Sequence, residues 1–513
     1  MSKLLNYYKK MPLALKASIW FLFTTVLQKG LAFIVTPFYT RLLTTEEYGT
    51  YSLYQSWMSI ITIFATLDLS AGVFNNALNK CNDEKQKWKT LSNFQFLEII
   101  TISIVGMIVL LINFLTGEQF GFSNKILLLM FVQILMNSAM SLWLLKERFD
   151  YKYFKPLIVS VLASVITIVF SLLFIKFGDN KSYSLIFGAV FASIFAYVGL
   201  MAFNLLKGRD FFDFKLWKYA LKFNLPLLPH YLSLTILSMS DRIMIEKFCG
   251  LTETSLYTIP YNIVSLITIF FSALNSSLVP WTYQNMKAGK YTKFKPVING
   301  CMLFVFAITA AVVMLGPELL YIMGGEAYMD AKWVIPPAAC GMFFMFLYPV
   351  FANIEFYYES NIFTMIASVV AAASNIVLNY IFIPMYGYVA AAYTTLFSYF
   401  VLAVAHLFFY KIILKKHNIK KLYDLKFILV MCLISLLLVP AALLIYKNDI
   451  VRYIIIGLIV LLFIVAIIVV IRLIKKGKIS LDFIKSRFVQ KNKEESQFSN
   501  VKLIEDDQEN TKE

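Results

Sequence analysis

Apolar runs of about 18 residues or more, separated by short polar segments, fill most of this chain, and runs of that length read as membrane-crossing helices. They predict about fourteen spans, near 17–38, 51–78, 91–115, 123–145, 156–176, 183–206, 219–245, 255–283, 297–316, 333–356, 361–383, 387–410, 425–446 and 451–472. The expected fold is an all-α integral membrane protein. Six spans precede the basic segment 207–218 and six follow it. Two lobes are therefore expected, helices 1–6 within residues 1–206 and helices 7–12 within 207–412. Helices 13 and 14 fill 413–475, and a polar tail fills 476–513.

Polar positions inside the spans follow a helical period. Span 2 carries Ser52, Gln55, Ser59, Thr62, Thr66 and Ser70 at spacings of three or four, which puts them on one face. Span 8 carries Thr258, Tyr261, Ser265, Thr268, Ser272 and Ser276 in the same arrangement. The sequence SIITIF at 59–64 returns as SLITIF at 265–270, 206 positions later, and the same register sets Glu47 on Glu253 and Tyr51 on Tyr257. Duplication of a six-helix unit explains the match. An even number of spans separates the copies, so they run in the same direction as a parallel repeat about an axis along the membrane normal. Each stripe either lines a polar cavity or packs helices through small hydroxyl residues. As a matched pair they predict helices 2 and 8 facing each other across the cavity.

Composition supports the membrane reading and charge orients it. Hydrophobic residues make up 59% of the chain, far more than a soluble domain uses. The net charge of +17 sits in alternate loops, around Lys9–Lys16, Lys80–Lys89, Lys146–Lys155, Lys207–Lys218, Lys287–Lys295 and Lys411–Lys421. The opposite loops hold Arg41, Lys181, Lys247, Lys332 and Lys447. By the positive-inside rule the basic loops and both termini are cytoplasmic, which requires an even number of spans. The basic loops then meet anionic headgroups of the inner leaflet, and no nucleic-acid partner is expected. The five cysteines are scattered without metal-ligand spacing and read as small apolar residues.

Ionisable groups inside spans mark candidate function. Helix 1 places Gln28 and Lys29 on a broad polar face, with Lys29 near mid-membrane; it is either functional or ion-paired with Asp68 or Glu98. Those two acids are candidates for ion coupling. Helix 7 contains Pro226, Pro229, His230, Asp241 and Arg242. The prolines are expected to bend it near its basic end. His230 is placed as the one histidine deep in a span, either a satisfied buried residue or a coupling group. Asp241 and Arg242 are adjacent, so they point in different directions and need separate partners. Asp241 and His230 complete the coupling candidates, with H+ or Na+ as the ion; no metal or other cofactor is expected.

The stretches Pro37-Phe38-Tyr39-Thr40-Arg41 and Glu46-Glu47-Tyr48-Gly49-Thr50-Tyr51 resemble the opening of Wzx-type oligosaccharide flippases, within the multidrug/oligosaccharidyl-lipid/polysaccharide exporter superfamily. Ser240-Asp241-Arg242 and the run Ile383-Pro384-Met385-Tyr386-Gly387-Tyr388-Val389-Ala390-Ala391-Ala392 are also similar to that family. The resemblance implies two lobes in a V and alternating access in a bacterial cytoplasmic membrane. It implies transfer of undecaprenyl-diphosphate-linked sugar units to the outer leaflet for capsule, O-antigen or exopolysaccharide synthesis. It assigns the anionic substrate to Lys29, Arg41 and Arg242, with Lys247 at the repeat position of Arg41. Gln28, Ser59, Thr62, Ser265 and Thr268 join them as substrate-binding candidates. The implied partners are a lipid-linked oligosaccharide, membrane lipids, the polysaccharide polymerase and other assembly proteins.

Two other functions share features with this one. A cation-coupled drug or small-molecule antiporter of the same superfamily would show the same lobes and stripes. A membrane glycan polymerase or ligase would need large external loops or a catalytic acid pair, and the external loops here are short. The chain has no phosphate-binding glycine loop and no metal-ligand cluster in its sequence, so neither an ATP-driven pump nor an enzyme is expected.

Overall fold

The structure is a computed structural model and describes residues 13–419 and 421–457. Every regular element among the described residues is a helix. The long ones are α1 (Leu13–Leu42), α2 (Thr45–Thr66), α3 (Glu84–Thr116), α4 (Asn124–Phe149), α5 (Phe154–Phe177), α6 (Lys181–Gly208) and α7 (Leu228–Cys249). They continue as α8 (Leu251–Lys287, interrupted at Leu266), α9 (Phe294–Met314), α10 (Ile335–Tyr357), α11 (Asn361–Tyr386), α12 (Val389–Lys416) and α13 (Leu425–Ile445). By length and composition, 11 spans among the described residues can cross a membrane. The two long helices outside that set are α2 and α7, whose polar side chains are spread along their length. The chain divides into two compact units, Met1–Leu443 and Leu444–Glu513. In the described part of the second, Arg452 pairs with Asp449 at 3.1 Å beside the rings of Tyr446 and Tyr453. Of the expected fourteenth span, 451–472, residues 451–457 are helical and the rest lies outside the described residues, as does the polar tail.

Local chemistry sets the helix ends. Thr44 and Glu47 form a reciprocal capping box at the start of α2. Asp83, Asn180 and Asp213 cap the helices that follow them by accepting backbone amides. Expected span 51–78 is corrected: α2 runs Thr45–Thr66 and ends in two successive left-handed residues, Leu67 (φ 51) and Asp68 (φ 45). A left-handed non-glycine residue costs about 1–2 kcal/mol. Asn224 offsets it by donating to the carbonyls of both, at 2.5 and 2.9 Å. Span 7 is corrected as well. Pro226 and Pro229 do not bend a continuous helix; they stand in the turn and first residues of α7, after a separate helix Phe214–Asn224. Proline lacks the amide proton that a helix start leaves unused anyway.

The packing of the first six helices recurs in the next six. The pairs α1–α5, α3–α4, α4–α6 and α5–α6 reappear as α7–α11, α9–α10, α10–α12 and α11–α12. One end of the bundle carries the lysine-rich loops (the basic end); the other carries the short turns at 43–44, 117–123, 178–180 and 250 (the charge-poor end).

An ion cluster fastens the first lobe at its basic end. The Lys146 side chain is fully buried and contacts Glu84, Glu147 at 3.3 Å and Asp150 at 3.0 Å, while Lys87 reaches Asp150 at 2.6 Å. Burial alone would raise the Asp150 carboxyl, but Lys87 and Lys146 outweigh it and hold its pKa at about 2. An unfolded aspartate titrates near 3.9, so this depressed value stabilises the fold fully above that pH and the effect fades as pH falls toward 2. Lys146→Met is expected to lower stability by about 3 kcal/mol, because three acids lose their buried cation. Thermal melting of the purified protein at neutral pH reads the loss, and the gap to wild type should narrow in acid.

Candidate functional site

At the charge-poor end the lobes touch backbone to backbone. α2 packs along the first part of α8 and against α7. A Cβ placed on Gly49 would lie 1.9 Å from the carbonyl oxygen of Leu251, so only glycine lets the two helices approach this closely. Thr40 Oγ1 donates to Met323 O at 2.5 Å. The Arg41 guanidinium donates to Ile322 O at 3.2 and 3.3 Å and to Pro37 O at 2.9 Å. Ile322 and Met323 belong to the short helix Gly316–Gly324, which joins α9 toward α10. Arg41 therefore joins the two lobes at the charge-poor end.

Further along, the lobes separate. α8 carries Pro260 and is interrupted at Leu266, where Leu266 N bonds Ile263 O at 3.2 Å and Ile269 N bonds Leu266 O at 3.1 Å. The hydroxyls of Ser265 and Thr268 take up carbonyls at this step, those of Asn262 and Ser265, at 2.7 and 2.6 Å. Beyond it, Ile267–Lys287 packs on α9 and α10 of its own lobe. Positions on both sides of the resulting opening are half-buried, among them Gln28, Gln55, Ser59, Thr62, Ser265 and Thr268, while Ser272 and Ser276 are exposed. Ser59 and Thr62 bond carbonyls of their own helix at 2.8 and 2.6 Å. Lys29 is exposed here and donates to Thr268 Oγ1 at 3.0 Å. That bond crosses from the first lobe to the second. The expected alternative, an ion pair of Lys29 with Asp68 or Glu98, is not formed. Helices 2 and 8 accordingly meet in direct contact near the charge-poor end and diverge at the level of the repeated SIITIF and SLITIF segments, instead of facing each other across a cavity throughout.

Inside the second lobe, Asp241 is fully buried and accepts four hydrogen bonds, from Tyr257 OH at 2.5 Å, Thr395 Oγ1 at 2.7 Å, Asn379 Nδ2 at 2.7 Å and Asn375 Nδ2 at 3.3 Å. Ser240 Oγ donates to Asn375 Oδ1 at 3.0 Å and Thr394 donates to Asn379 Oδ1. No lysine or arginine forms a salt bridge with Asp241 among the described residues. Four neutral donors from three helices thus hold a carboxylate in a dry interior, where an isolated charge is costly. Arg242, its neighbour, is also buried but turns elsewhere. It donates to Thr258 Oγ1 at 3.2 Å and Ser238 O at 2.7 Å, and lies 4.7 Å from the centroid of the Tyr261 ring.

The match to known families follows this geometry. The family described as polysaccharide biosynthesis protein matches residues 14–286, and a MatE model matches 226–381. The chain belongs to the polysaccharide biosynthesis protein family. An Lsg-locus protein of Haemophilus influenzae is 22% identical over 360 residues, 67% of this chain and 85% of that protein. A solved lipid II flippase MurJ in an inward closed conformation has a TM-score of 0.63 at 16% identity, covering 88% of this chain and 98% of the other. An inward-facing multidrug MATE transporter has a TM-score of 0.61 at 12% identity, covering 78% and 97%. The polysaccharide biosynthesis family member described here is thus a multi-pass membrane protein with the helical fold seen in these transporters.

The remaining expected residues are dispersed in this family member. Lys247 is exposed in the last turn of α7. Asp68 lies in the break after α2, outside any long helix. Glu98 is buried in the first lobe, and its Oε2 has no hydrogen-bond partner. His230 is buried, with Nδ1 2.7 Å from Ser368 Oγ. It is not the only histidine deep in a span: His406 is fully buried in α12, 2.8 Å from Glu355. Sequence reasoning missed Asn375, Asn379, Thr394 and Thr395. Two asparagines four residues apart in the otherwise apolar run AAASNIVLNYIF were the available signal. No group of three or more His, Cys, Asp or Glu that could hold a metal ion occurs among the described residues.

Proposed function

We propose that this chain carries polyprenyl-diphosphate-linked oligosaccharide units from the inner to the outer leaflet of a bacterial cytoplasmic membrane by alternating access. The observation that carries the reading is the family match over residues 14–286. The geometry adds its support. With the lysine-rich loops inside, the closed end faces outward and the opening beside Lys29 faces the cytoplasm, where such substrates are made. An exposed ammonium at that seam suits a diphosphate. Its bond to Thr268 is one that an incoming anion replaces.

Asp241 is the coupling residue of this reading. Its hydroxyl donor Tyr257 sits on the part of α8 that packs against α2, so binding of H+ or Na+ at Asp241 bears on the lobe contact directly. Asn375 and Asn379 turn their NH2 groups to the carboxylate, so binding of a cation there requires these donors to turn away.

A strain lacking the protein is expected to accumulate lipid-linked repeat units on the inner leaflet, identified by mass analysis of extracted lipid. Restoring it as Lys29→Ala is expected to leave transfer about 10- to 100-fold slower, the loss of one charge-assisted contact. Normal transfer in the deletion strain overturns the flippase reading. The MatE match over 226–381 favours a second reading, drug antiport, for which the deletion would instead bring drug sensitivity without lipid-linked intermediates.

A further inference from the structure

The interior of the second lobe holds two polar layers, and the second is unused by the function above. Three helices each contribute to both layers with residues eleven positions apart: His230 and Asp241 on α7, Ser368 and Asn379 on α11, His406 and Thr395 on α12. Eleven residues are about three turns, or about 16 Å, so each pair shares one helix face. Leu237, Ala371, Ala372 and Leu402 are buried on these helices between the layers. Ser233, Ser398 and Tyr399 are polar groups among them, the Tyr399 hydroxyl 3.3 Å from that of Tyr261.

The layer nearer the basic end is a chain of groups able to exchange protons. His406 Nδ1 lies 2.8 Å from Glu355 Oε1, and Thr364 Oγ1 donates to Glu355 Oε2 at 2.9 Å. Both charged partners are fully buried. Across the ring of Tyr348, 4.8 Å from His406 by centroids, stands His230, whose Nε2 is 3.4 Å from the Tyr348 hydroxyl. Ser368 donates to Thr364 O at 2.8 Å. Its Oγ also lies 2.7 Å from His230 Nδ1, and the His230 tautomer sets which of the two donates. His406 Nε2 has no hydrogen-bond partner.

Proton counting then decides the state. Glu355 has His406 as its salt-bridge partner among the described residues, with no lysine or arginine. Tyr231 on α7, Tyr348 on α10 and Tyr410 on α12 are the titratable neighbours, together with Tyr423, whose hydroxyl bonds Val350 O at 2.8 Å. α11 adds only Thr364 and Ser368, α8 adds Asn275 opposite Asn353, and α9 adds Phe306 against Phe343. A carboxylate in this interior favours one proton on the pair, giving a neutral imidazolium–carboxylate. The unpartnered Nε2–H of that imidazolium opposes it, because a buried donor without an acceptor costs about 1–3 kcal/mol. The two tendencies oppose each other, so the surroundings of the pair decide whether it keeps its proton.

We propose that His406 and Glu355, with His230 across Tyr348, form a proton-binding site distinct from Asp241 that is filled and emptied as the transporter changes conformation. It rests on the alternating-access reading only for the filling and emptying. The chain has 3 histidines, so 15N-histidine labelling of the full protein in lipid nanodiscs gives a spectrum that single substitutions assign. His417, stacked on Tyr358 at 3.8 Å, is exposed near the loop after α12 and is the reference. Between about pH 5 and 9, His406 is expected to gain and lose its proton, read beside the exposed His417. Glu355→Gln is expected to remove the proton from His406 at neutral pH. In Gly49→Val, which disturbs the closed end, the His406 midpoint is expected to move by at least one pH unit, a tenfold change in proton affinity. His406 neutral or protonated throughout the wild-type titration overturns the site, whether or not Glu355→Gln folds. A normal titration with the same midpoint in Gly49→Val overturns only its link to the cycle.

Discussion

Asp241→Asn is expected to reduce transport about 5- to 150-fold, the range that loss of a 1–3 kcal/mol coupling energy produces. The reasoning rests on what the carboxylate accepts. Tyr257, Thr395, Asn379 and Asn375 all point donors at its two oxygens. An amide in its place presents one oxygen and one NH2, so at least one donor meets a donor, and the site loses its negative charge. Neither a proton nor a sodium ion then has a carboxylate to bind. Flux of lipid-linked units in membrane vesicles, with and without an imposed ion gradient, measures the effect. Wild-type flux that still responds to the gradient in Asp241→Asn removes Asp241 from the coupling role. Thr395→Val separates coupling from general damage: it deletes one donor, keeps the charge, and is expected to change ion dependence more than maximal flux.

Much of this arrangement was legible in the sequence because membrane constraints act locally. Span lengths, the alternation of lysine-rich loops and the odd ionisable residue in an apolar run all follow from the cost of exposing polar groups to hydrocarbon. Asp241 stood out on that ground alone. Its partners did not, because Asn and Thr are cheap enough in membrane helices to escape notice singly, and their meaning comes from the convergence of α7, α8, α11 and α12. Glu355 and His406 were overlooked for a different reason. Each lies near the basic end of its helix, where a charged residue reads as interfacial, and only the packing of α10 on α12 shows them buried together.

The repeat shows where sequence symmetry stops. SIITIF and SLITIF occupy equivalent positions, yet α2 runs through its copy unbroken while α8 is interrupted at Leu266, inside its copy. Pro260 has no counterpart in α2, where Tyr54 stands in the matching register. Tyr54 keeps its amide proton and donates its hydroxyl to Gln133 at 2.8 Å within the first lobe. The same six-residue segment therefore forms part of a straight helix in one lobe and a hinge in the other. Lys29 meets Thr268 at that hinge. Arg41 was assigned to the substrate by resemblance alone, and its contacts with the Ile322 and Pro37 carbonyls come from packing that the sequence does not display.

Gly49→Val is expected to open the charge-poor end and to stall the cycle there. The Cβ of any residue at 49 would overlap the Leu251 carbonyl, 1.9 Å away, and the obstacle is backbone on a helix that is itself packed against α7 and α10, so it cannot rotate aside. Overpacking of this kind typically costs about 1–3 kcal/mol, which shifts the balance between closed and open forms about 5- to 150-fold. The closed form of wild type is also held by the packing of α2 on α7 and α8, and by Thr40 on Met323 and Arg41 on Ile322. Ser52→Cys supplies a probe: Ser52 lies behind the contact, is buried, and bonds only the Tyr48 carbonyl of its own helix. In a background with the five native cysteines replaced, a membrane-impermeant maleimide added outside should label this probe slowly when Gly49 is present and at least tenfold faster in Gly49→Val. Equal labelling rates would mean that α2 and α8 separate without regard to Gly49, and that the closure depends on the Thr40 and Arg41 contacts instead.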